Sequence, residues 1–281
     1  MDPRTPLSFE FFPPKTAEGM ARLRAVRAAL AAFTPEFHSV TYGAGGSTRE
    51  PTLATVLALH QAGVAVAPHL SFGGDDAGGV MQLLDRYREA GIRRLVALRG
   101  DLPSGVGGSA QLVHANELVA LIRRHSGDHF HIHVAAYPEI HPEARSYADD
   151  IHWLGQKFAA GADAAITQYF YSADAYWYFV DACRRAGIAR PIVPGIMPIT
   201  NHESLVRFSA RCGAEIPRWL QHRLAGWGDD LDGLRAFGTE VVARLCERLL
   251  AGGAPGLHFY TLNQAEPSAA ILRALGRPEA A

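Results

Sequence analysis

The carboxylate of Glu10 stands between phenylalanines in the run LSFEFFPP, residues 7–14, which has the composition of a buried strand. Two interpretations are open. The carboxylate is held by a structural arginine, or it is a general acid whose pKa is raised because burial disfavours the charged form. A carboxyl group tuned in this second way can donate a proton near neutral pH. Its position in the sequence does not choose between the two.

Other polar side chains lie at or just after the ends of short apolar runs. Alternate residues of a strand share a face, so Ser8 goes with Glu10, and Ser39 with Thr41. We expect these small or polar series to face inward, and the bulky alternate series, which includes Val96 and Leu98, to face helices. The side chains expected to meet in one cavity are Glu10, Thr41, His69, Arg99, Asp101, Tyr137 and Gln168.

The elements that position these residues follow a regular rhythm. Eight β-rich runs begin near residues 7, 37, 64, 93, 131, 164, 191 and 257, and amphipathic helical patterns separate most of them. Strand–helix alternation predicts a parallel sheet, and eight repeats predict closure into a barrel of about 250 residues. We therefore predict an α/β fold: a single (β/α)8 TIM barrel over residues 1–281, with extra helices before the eighth strand.

Three further sequence features can be interpreted either as functional or as ordinary structural elements. The run YGAGGST, residues 42–48, resembles a phosphate-cradling loop, but a tight turn and helix cap explain it better because the P-loop lysine is missing. The three histidines of HFHIH line one strand without a carboxylate at ligand spacing, so no metal is expected. Lys157 lies in a helix pattern, which favours a surface or phosphate-contacting lysine over a Schiff base. No G-x-S-x-G elbow of a serine hydrolase occurs.

The composition of the chain indicates which classes of partner are unfavourable and which cellular compartment is expected. The 27 basic and 28 acidic residues give a formal charge of −1, which supplies no general field for nucleic acid or an anionic membrane. The widely spaced Cys183, Cys212 and Cys246 are typical of reduced thiols, and no apolar run reaches the ~20 residues of a membrane span. We expect a cytoplasmic protein without an export signal.

Eight short motifs, taken in order, resemble the methylenetetrahydrofolate reductase family: FEFFPPK, SVTYGAGGST, APHLS, VALRGD, VAAYPEIHPEA, AITQYFY, PGIMPITN and LHFYTLN. The resemblance runs from residue 7 to about residue 272. It implies a catalytic barrel of one-carbon metabolism and methionine biosynthesis, without the large allosteric extension of some relatives. The implied reaction is ping-pong reduction of 5,10-methylenetetrahydrofolate to 5-methyltetrahydrofolate by NADH or NADPH through non-covalent FAD, in a homo-oligomer. Methyl-folate oxidation, a protein electron donor and a non-catalytic folate-binding subunit remain alternatives.

The resemblance also implies roles for individual residues. Glu10 is the implied proton donor, and Asp101 the group that steadies positive charge on the folate. The implied FAD contacts are Thr41, His69, Arg99, Gly100, Asp101, His114, Ala115, Tyr137, His141, Asp150, Trp153 and Lys157. The implied folate contacts are Glu10, Gln168, Tyr176, Phe208 and Gln264. At Gln264 the family commonly carries arginine, so a charge-assisted contact to the folate tail is expected to be absent here.

Overall fold

A parallel sheet of nine strands organises the residues described by the computed structural model, which are 1–42, 49–72, 77–99 and 114–280. The strand order is β7-β6-β5-β4-β3-β2-β1-β9-β8, and every neighbouring pair is parallel. The strands are β1 Leu7–Phe11, β2 Phe37–Val40, β3 Val66–Leu70, β4 Arg94–Ala97, β5 His131–Ala136, β6 Ala164–Thr167, β7 Ile192–Val193, β8 Gly195–Ile196 and β9 Leu257–Tyr260. The predicted glycine loop, Gly100 and Asp101 lie outside the described residues.

Pro194 explains why eight predicted runs give nine strands. It separates β7 from β8 within one run, and proline carries no N–H for a strand ladder. The first half of the run pairs with β6, where Ala165 faces Ile192, and the second half pairs with β9, where Gly195 faces His258. One stretch of chain therefore bridges the two ends of the sheet, and the predicted α/β barrel is confirmed.

Ten helices in the described part of the chain surround the sheet. They are α1 Ala17–Ala31, α2 Arg49–Gln61, α3 Ala77–Glu89, α4 Ala115–Ser126, α5 Tyr147–Ala159, α6 Ala173–Arg185, α7 His202–Cys212, α8 Arg218–Ala225, α9 Leu231–Ala251 and α10 Glu266–Ala274. Three of them, α7 to α9, lie between β8 and β9, so the predicted extra helices before the last strand are confirmed. No helix among the described residues is long and apolar enough to cross a membrane.

The barrel axis is filled by a small apolar cluster. Phe37, Ala67, Val96 and Ile166 come from four different strands and pack together, with Leu98 against them. Residues from strands spread around the sheet meet in this way only inside the barrel. The predicted orientation of β4 is therefore wrong: its bulky series faces the axis, because the small side chain of Ala67 leaves volume that Val96 fills.

Gly195 allows β8 to approach β6 and β9 closely. Its N–H donates to Thr167 Oγ1 at 2.9 Å, and a Cβ atom here would overlap the Thr167 carbonyl oxygen and lie 2.6 Å from the Tyr260 ring. Neither the strand carbonyl nor the Tyr260 ring, whose hydroxyl donates to that same carbonyl, can move freely, so the space exists only for glycine.

Gly195→Ala should lower the free energy of unfolding by about 2–3 kcal/mol, the usual cost of overpacking a fixed core. Urea unfolding measures this. Gly155→Ala in α5 is the matched control, because a Cβ there meets Ile188 at an ordinary 3.7 Å and alanine favours helix. Equal stability of the two variants would contradict the tight approach at Gly195.

Candidate active site

A cavity of about 280 Å³ opens at the carboxyl ends of the strands. The barrel fold brings six of the predicted site residues to its wall, although they come from six separate elements or loops. They are Glu10, Thr41, His69, Tyr137, Gln168 and Phe208. Active sites of such barrels occupy this end, because all parallel strands finish there.

Glu10 lies at the floor of the cavity with 13% of its side chain exposed. Its Oε2 atom lies 3.1 Å from His69 Nε2, which is an ion-pair distance without hydrogen-bond alignment. It also lies 3.4 Å from His258 Nε2 and accepts from Ser39 Oγ at 3.4 Å. On the far side of His258, Nδ1 contacts Ser8 Oγ at 2.7 Å. We call Glu10, His69, His258 and Ser8 the proton cluster.

The proton cluster keeps Glu10 ionised in the ligand-free protein. Burial raises the pKa of Glu10, but the attraction of His69 and the hydrogen bond from His258 lower it by more, to a net value of about 2. This differs from both sequence interpretations. The carboxylate is held by histidines rather than an arginine, and its pKa is lowered rather than raised.

His258 and Tyr260 are functional candidates that the sequence analysis missed. Both lie on β9 with the same parity, and the register sets Ser8 against His258 and Glu10 against Tyr260. Tyr260 lines the cavity, and its hydroxyl donates to the Thr167 carbonyl at 2.6 Å. The alternation of His258 and Tyr260 in LHFYTLN was the available signal.

Aromatic rings form one wall of the cavity. Phe208 lines it, is 39% exposed and stacks on Tyr169 with ring centres 5.9 Å apart. The Tyr169 hydroxyl is fixed by Ser209 Oγ at 2.8 Å, which anchors this stack to α7. Phe12, 42% exposed, lies on the same cavity. Exposed rings at a cavity indicate a flat, apolar ligand surface.

A second group of predicted residues lies beside the cavity on α4, α5 and the segment after β5. The ring of Tyr137 meets the ring of His141 edge to face, with ring centres 4.5 Å apart, and the backbone N–H of His141 donates to Asp150 Oδ2 at 2.9 Å. Arg99 pairs with the exposed Glu143 at 2.6 Å. The remaining members are Ala115, the first residue of α4, and a stacked pair of rings, His114 and Trp153.

Lys157 carries a positive charge inside this second group. Its Nζ donates to the Ala135 carbonyl at 2.9 Å, and no carboxylate of the described residues lies within 4 Å of it. Burial of the ammonium lowers the pKa of Lys157 to about 8, although part of the side chain keeps solvent contact. Asp150 attracts this charge from farther away, so the ammonium is partly compensated, and a buried cation without a contacting carboxylate is a feature of anion-binding sites.

Two predicted folate contacts lie away from the cavity. Tyr176 is buried in α6, where its hydroxyl donates to the Ile192 carbonyl at 2.7 Å and its ring stacks on Phe170. Its role is therefore to hold α6 against β7, because a buried, fully paired hydroxyl cannot reach a ligand. Gln264 is exposed in the turn after β9 and is not part of the cavity wall.

The fold and the cavity together define an α/β-barrel protein with a polar, aromatic-walled binding site at the active-site end of the barrel. Residues 2–276 match the family model described as methylenetetrahydrofolate reductase. The chain is 39% identical over 280 residues to the 5,10-methylenetetrahydrofolate reductase of Pectobacterium carotovorum subsp. carotovorum, covering 99% of this chain and 93% of that protein. The chain belongs to the methylenetetrahydrofolate reductase family.

Two further relatives show how far the likeness extends. A probable methylenetetrahydrofolate reductase (NADH) of Oryza sativa subsp. japonica is 38% identical over 289 residues, covering 98% of this chain. This chain spans only about half, 49%, of that plant protein. A solved structure described as an uncharacterised Clostridium thermocellum protein that binds two copies of 5-methyl-5,6,7,8-tetrahydrofolic acid has a TM-score of 0.65 and 18% identity, over 97% of this chain and 93% of that one. It shares the fold.

Glu10→Gln should make stability less dependent on pH. Because the folded pKa of about 2 lies below the ordinary 4.5, the ionised carboxylate stabilises the fold above pH 4.5, and this contribution is lost as pH falls toward 2. The free energy of unfolding of the wild type should exceed that of the variant by about 3 kcal/mol at pH 7, and this difference should narrow below pH 4.5. Urea unfolding at several pH values measures it. The same change at exposed Glu18 is the control, and a gap that widens on acidification would contradict the assignment.

Lys157→Met should stabilise the ligand-free protein by about 1–2 kcal/mol at pH 7, a figure reduced for partial solvent contact. The folded pKa of about 8 lies below the ordinary 10.5, so the charge destabilises the fold below pH 8, and the cost disappears as pH rises toward 10.5. The gain should therefore vanish over that range in thermal or urea unfolding. Lys15→Met, at the chain's other lysine, is exposed and should change nothing. Loss of stability in the Lys157 variant would show that the ammonium is well compensated.

Proposed function

We propose that this chain reduces 5,10-methylenetetrahydrofolate to 5-methyltetrahydrofolate with electrons from NADH or NADPH, through a non-covalently bound FAD. The names of its relatives support the reaction, and the plant names support NADH as the donor. The structural observation that carries the proposal is the Glu10 carboxylate, held by two imidazoles at the floor of an aromatic-walled cavity.

The described residues fit FAD. Lys157, and Arg99 on exchange of its exposed partner Glu143, would supply two cations for its diphosphate, and the buried Lys157 ammonium without a contacting carboxylate is the observation that favours an anion there. The half-exposed Trp153, stacked on His114, offers a flat surface for the adenine ring. Thr41, His69 and Tyr137 line the wall that a flavin ring would face. When bound, FAD supplies hydride transfer, taking a hydride from the nicotinamide and returning it to the folate.

The proton cluster supplies what the folate chemistry requires. The methylene bridge between two nitrogens is a poor hydride acceptor until one C–N bond opens to an iminium, so a proton must reach the departing nitrogen. Glu10 is positioned to donate it, with His69 and His258 close enough to resupply the carboxyl. A ligand that fills the cavity removes the remaining water from Glu10, and this added burial raises the pKa of Glu10 toward the protonated form when substrate is present.

Gln168 and Phe208 position the folate in this proposal. Gln168 Oε1 accepts from the backbone N–H of Tyr169 at 3.0 Å, and among the described residues nothing accepts from the amide NH2, which can therefore donate to an acceptor edge of the pterin. Phe208 offers a partly exposed ring for stacking. Asp101 lies outside the described residues, so its role in stabilising the positive charge of the iminium stays a prediction.

We propose alternating, ping-pong turnover, in which nicotinamide and folate occupy the active-site cavity in turn, because both would need the same face of the flavin.

Glu10→Gln should separate the two half-reactions. With FAD added back, NADH should still bleach the flavin absorbance at about 450 nm under anaerobic conditions, because hydride uptake by the flavin needs no proton from Glu10. Reoxidation by 5,10-methylenetetrahydrofolate should slow by about a hundredfold or more, the usual contribution of a general acid. Stopped-flow absorbance measures both rates.

Glu203→Gln is the matched control, since it removes an exposed carboxylate from α7 outside the cavity wall. Unchanged reoxidation in the Glu10 variant would remove the assigned proton donor. Failure of the wild-type protein to bind FAD, or to oxidise NADH in the presence of the folate, would overturn the proposed function itself.

A further inference from the structure

A second cavity, of about 450 Å³, lies outside the barrel between α8, α9 and the segment that follows β6. We call it the outer groove. Its wall and the wall of the active-site cavity have no residue in common. The reaction proposed above makes no use of it.

Apolar and aromatic side chains form the body of the outer groove. On α8, Trp219 is 52% exposed and stands four residues before Arg223, so both side chains lie on one helix face. On α9, Phe237, Val241 and Leu245 follow each other at intervals of four and form a continuous stripe. A half-exposed indole beside a concave apolar stripe indicates a surface that is covered by a ligand or partner.

Three arginines line the outer groove, and one of them has no anionic partner within the part of the chain that the structure describes. Arg244 pairs with Glu240 at 2.6 Å, and Arg248 pairs with Asp174 at 2.7 Å. Arg223 instead lies over the Phe237 ring, with its Cζ 5.0 Å from the ring centre, and no carboxylate of the described chain lies within 4 Å of it. A guanidinium stacked on a ring keeps its N–H edge available for a carboxylate or phosphate.

We propose that the outer groove is a second ligand site, which binds a planar aromatic ring carrying a carboxylate or phosphate. The ring stacks on Trp219 and contacts Val241, while the anionic group accepts from Arg223. A volume within the ~300–1,000 Å³ range of ligand cavities favours a small molecule over a protein surface. Arg244 and Arg248 are already paired with Glu240 and Asp174, so they do not compete with Arg223 for the anion.

Calorimetric titration of the protein, with and without added FAD, tests the site with two probes. Adenosine 5′-monophosphate presents a ring with a phosphate, and 4-aminobenzoylglutamate presents a ring with carboxylates. At least one should bind with a dissociation constant below about 1 mM. Whichever binds identifies the preferred anion.

Variants then locate the binding. Arg223→Met, which keeps the side-chain stem, and Trp219→Ala should each weaken the bound probe about tenfold or more. Arg235→Met on α9 is the matched control, because Arg235 pairs with Asp232 and does not line the groove. Phe208→Ala, in the active-site cavity, should leave probe binding unchanged.

Three results would overturn the proposal: no heat from either probe at about 1 mM, equal binding by wild type and Arg223→Met, or loss of binding in Phe208→Ala. Sedimentation that depends on protein concentration and is abolished by Trp219→Ala would assign the groove to contact between copies of this chain. These outcomes are independent of flavin reduction and reoxidation, so they do not depend on whether the proposed reaction is correct.

Discussion

The carboxylate of Glu10, buried among imidazoles at one end of a parallel barrel, is the interaction on which the rest of the site depends. An isolated buried carboxylate is costly, and it stays ionised only if positive or hydrogen-bonding groups surround it. His69 arrives from β3 and His258 from β9, and the β1–β9 register places Ser8 behind His258. The barrel fold is what makes a cluster from residues so distant in sequence.

The site has two chemically different halves. At the cavity floor, an anionic group and imidazoles can hold or release a proton. Beside the cavity, Lys157 and Arg99 provide positive charge, and no carboxylate of the described residues lies within 4 Å of the Lys157 ammonium. The segment after β5 joins the halves, since Tyr137 lines the cavity and also contacts His141. A ligand that combines a flat ring with an anionic group fits both halves at once.

The sequence predicted the elements better than the energetics of the side chains. Regular strand–helix alternation specifies a barrel, and the carboxyl-end rule then places Glu10, His69 and Gln168 in one cavity. The prediction of which residues of β4 face inward was wrong, because it used polarity alone and ignored the volume at the barrel axis that Val96 fills. The lowered pKa of Glu10, which neither interpretation of the sequence included, depends on His69 and His258, and the position of His258 relative to β1 follows from strand register and not from local sequence.

The ionisation of Glu10 in the ligand-free protein tests the account most directly. Isotope-edited infrared difference spectra, wild type against Glu10→Gln with labelled glutamate, report the carboxyl group itself. The account predicts a carboxylate band for Glu10 throughout the range from about pH 4 to pH 7, above its pKa of about 2, because His69 and His258 stabilise the charge. A protonated carboxyl band at pH 7 would contradict it, since burial would then outweigh the histidines.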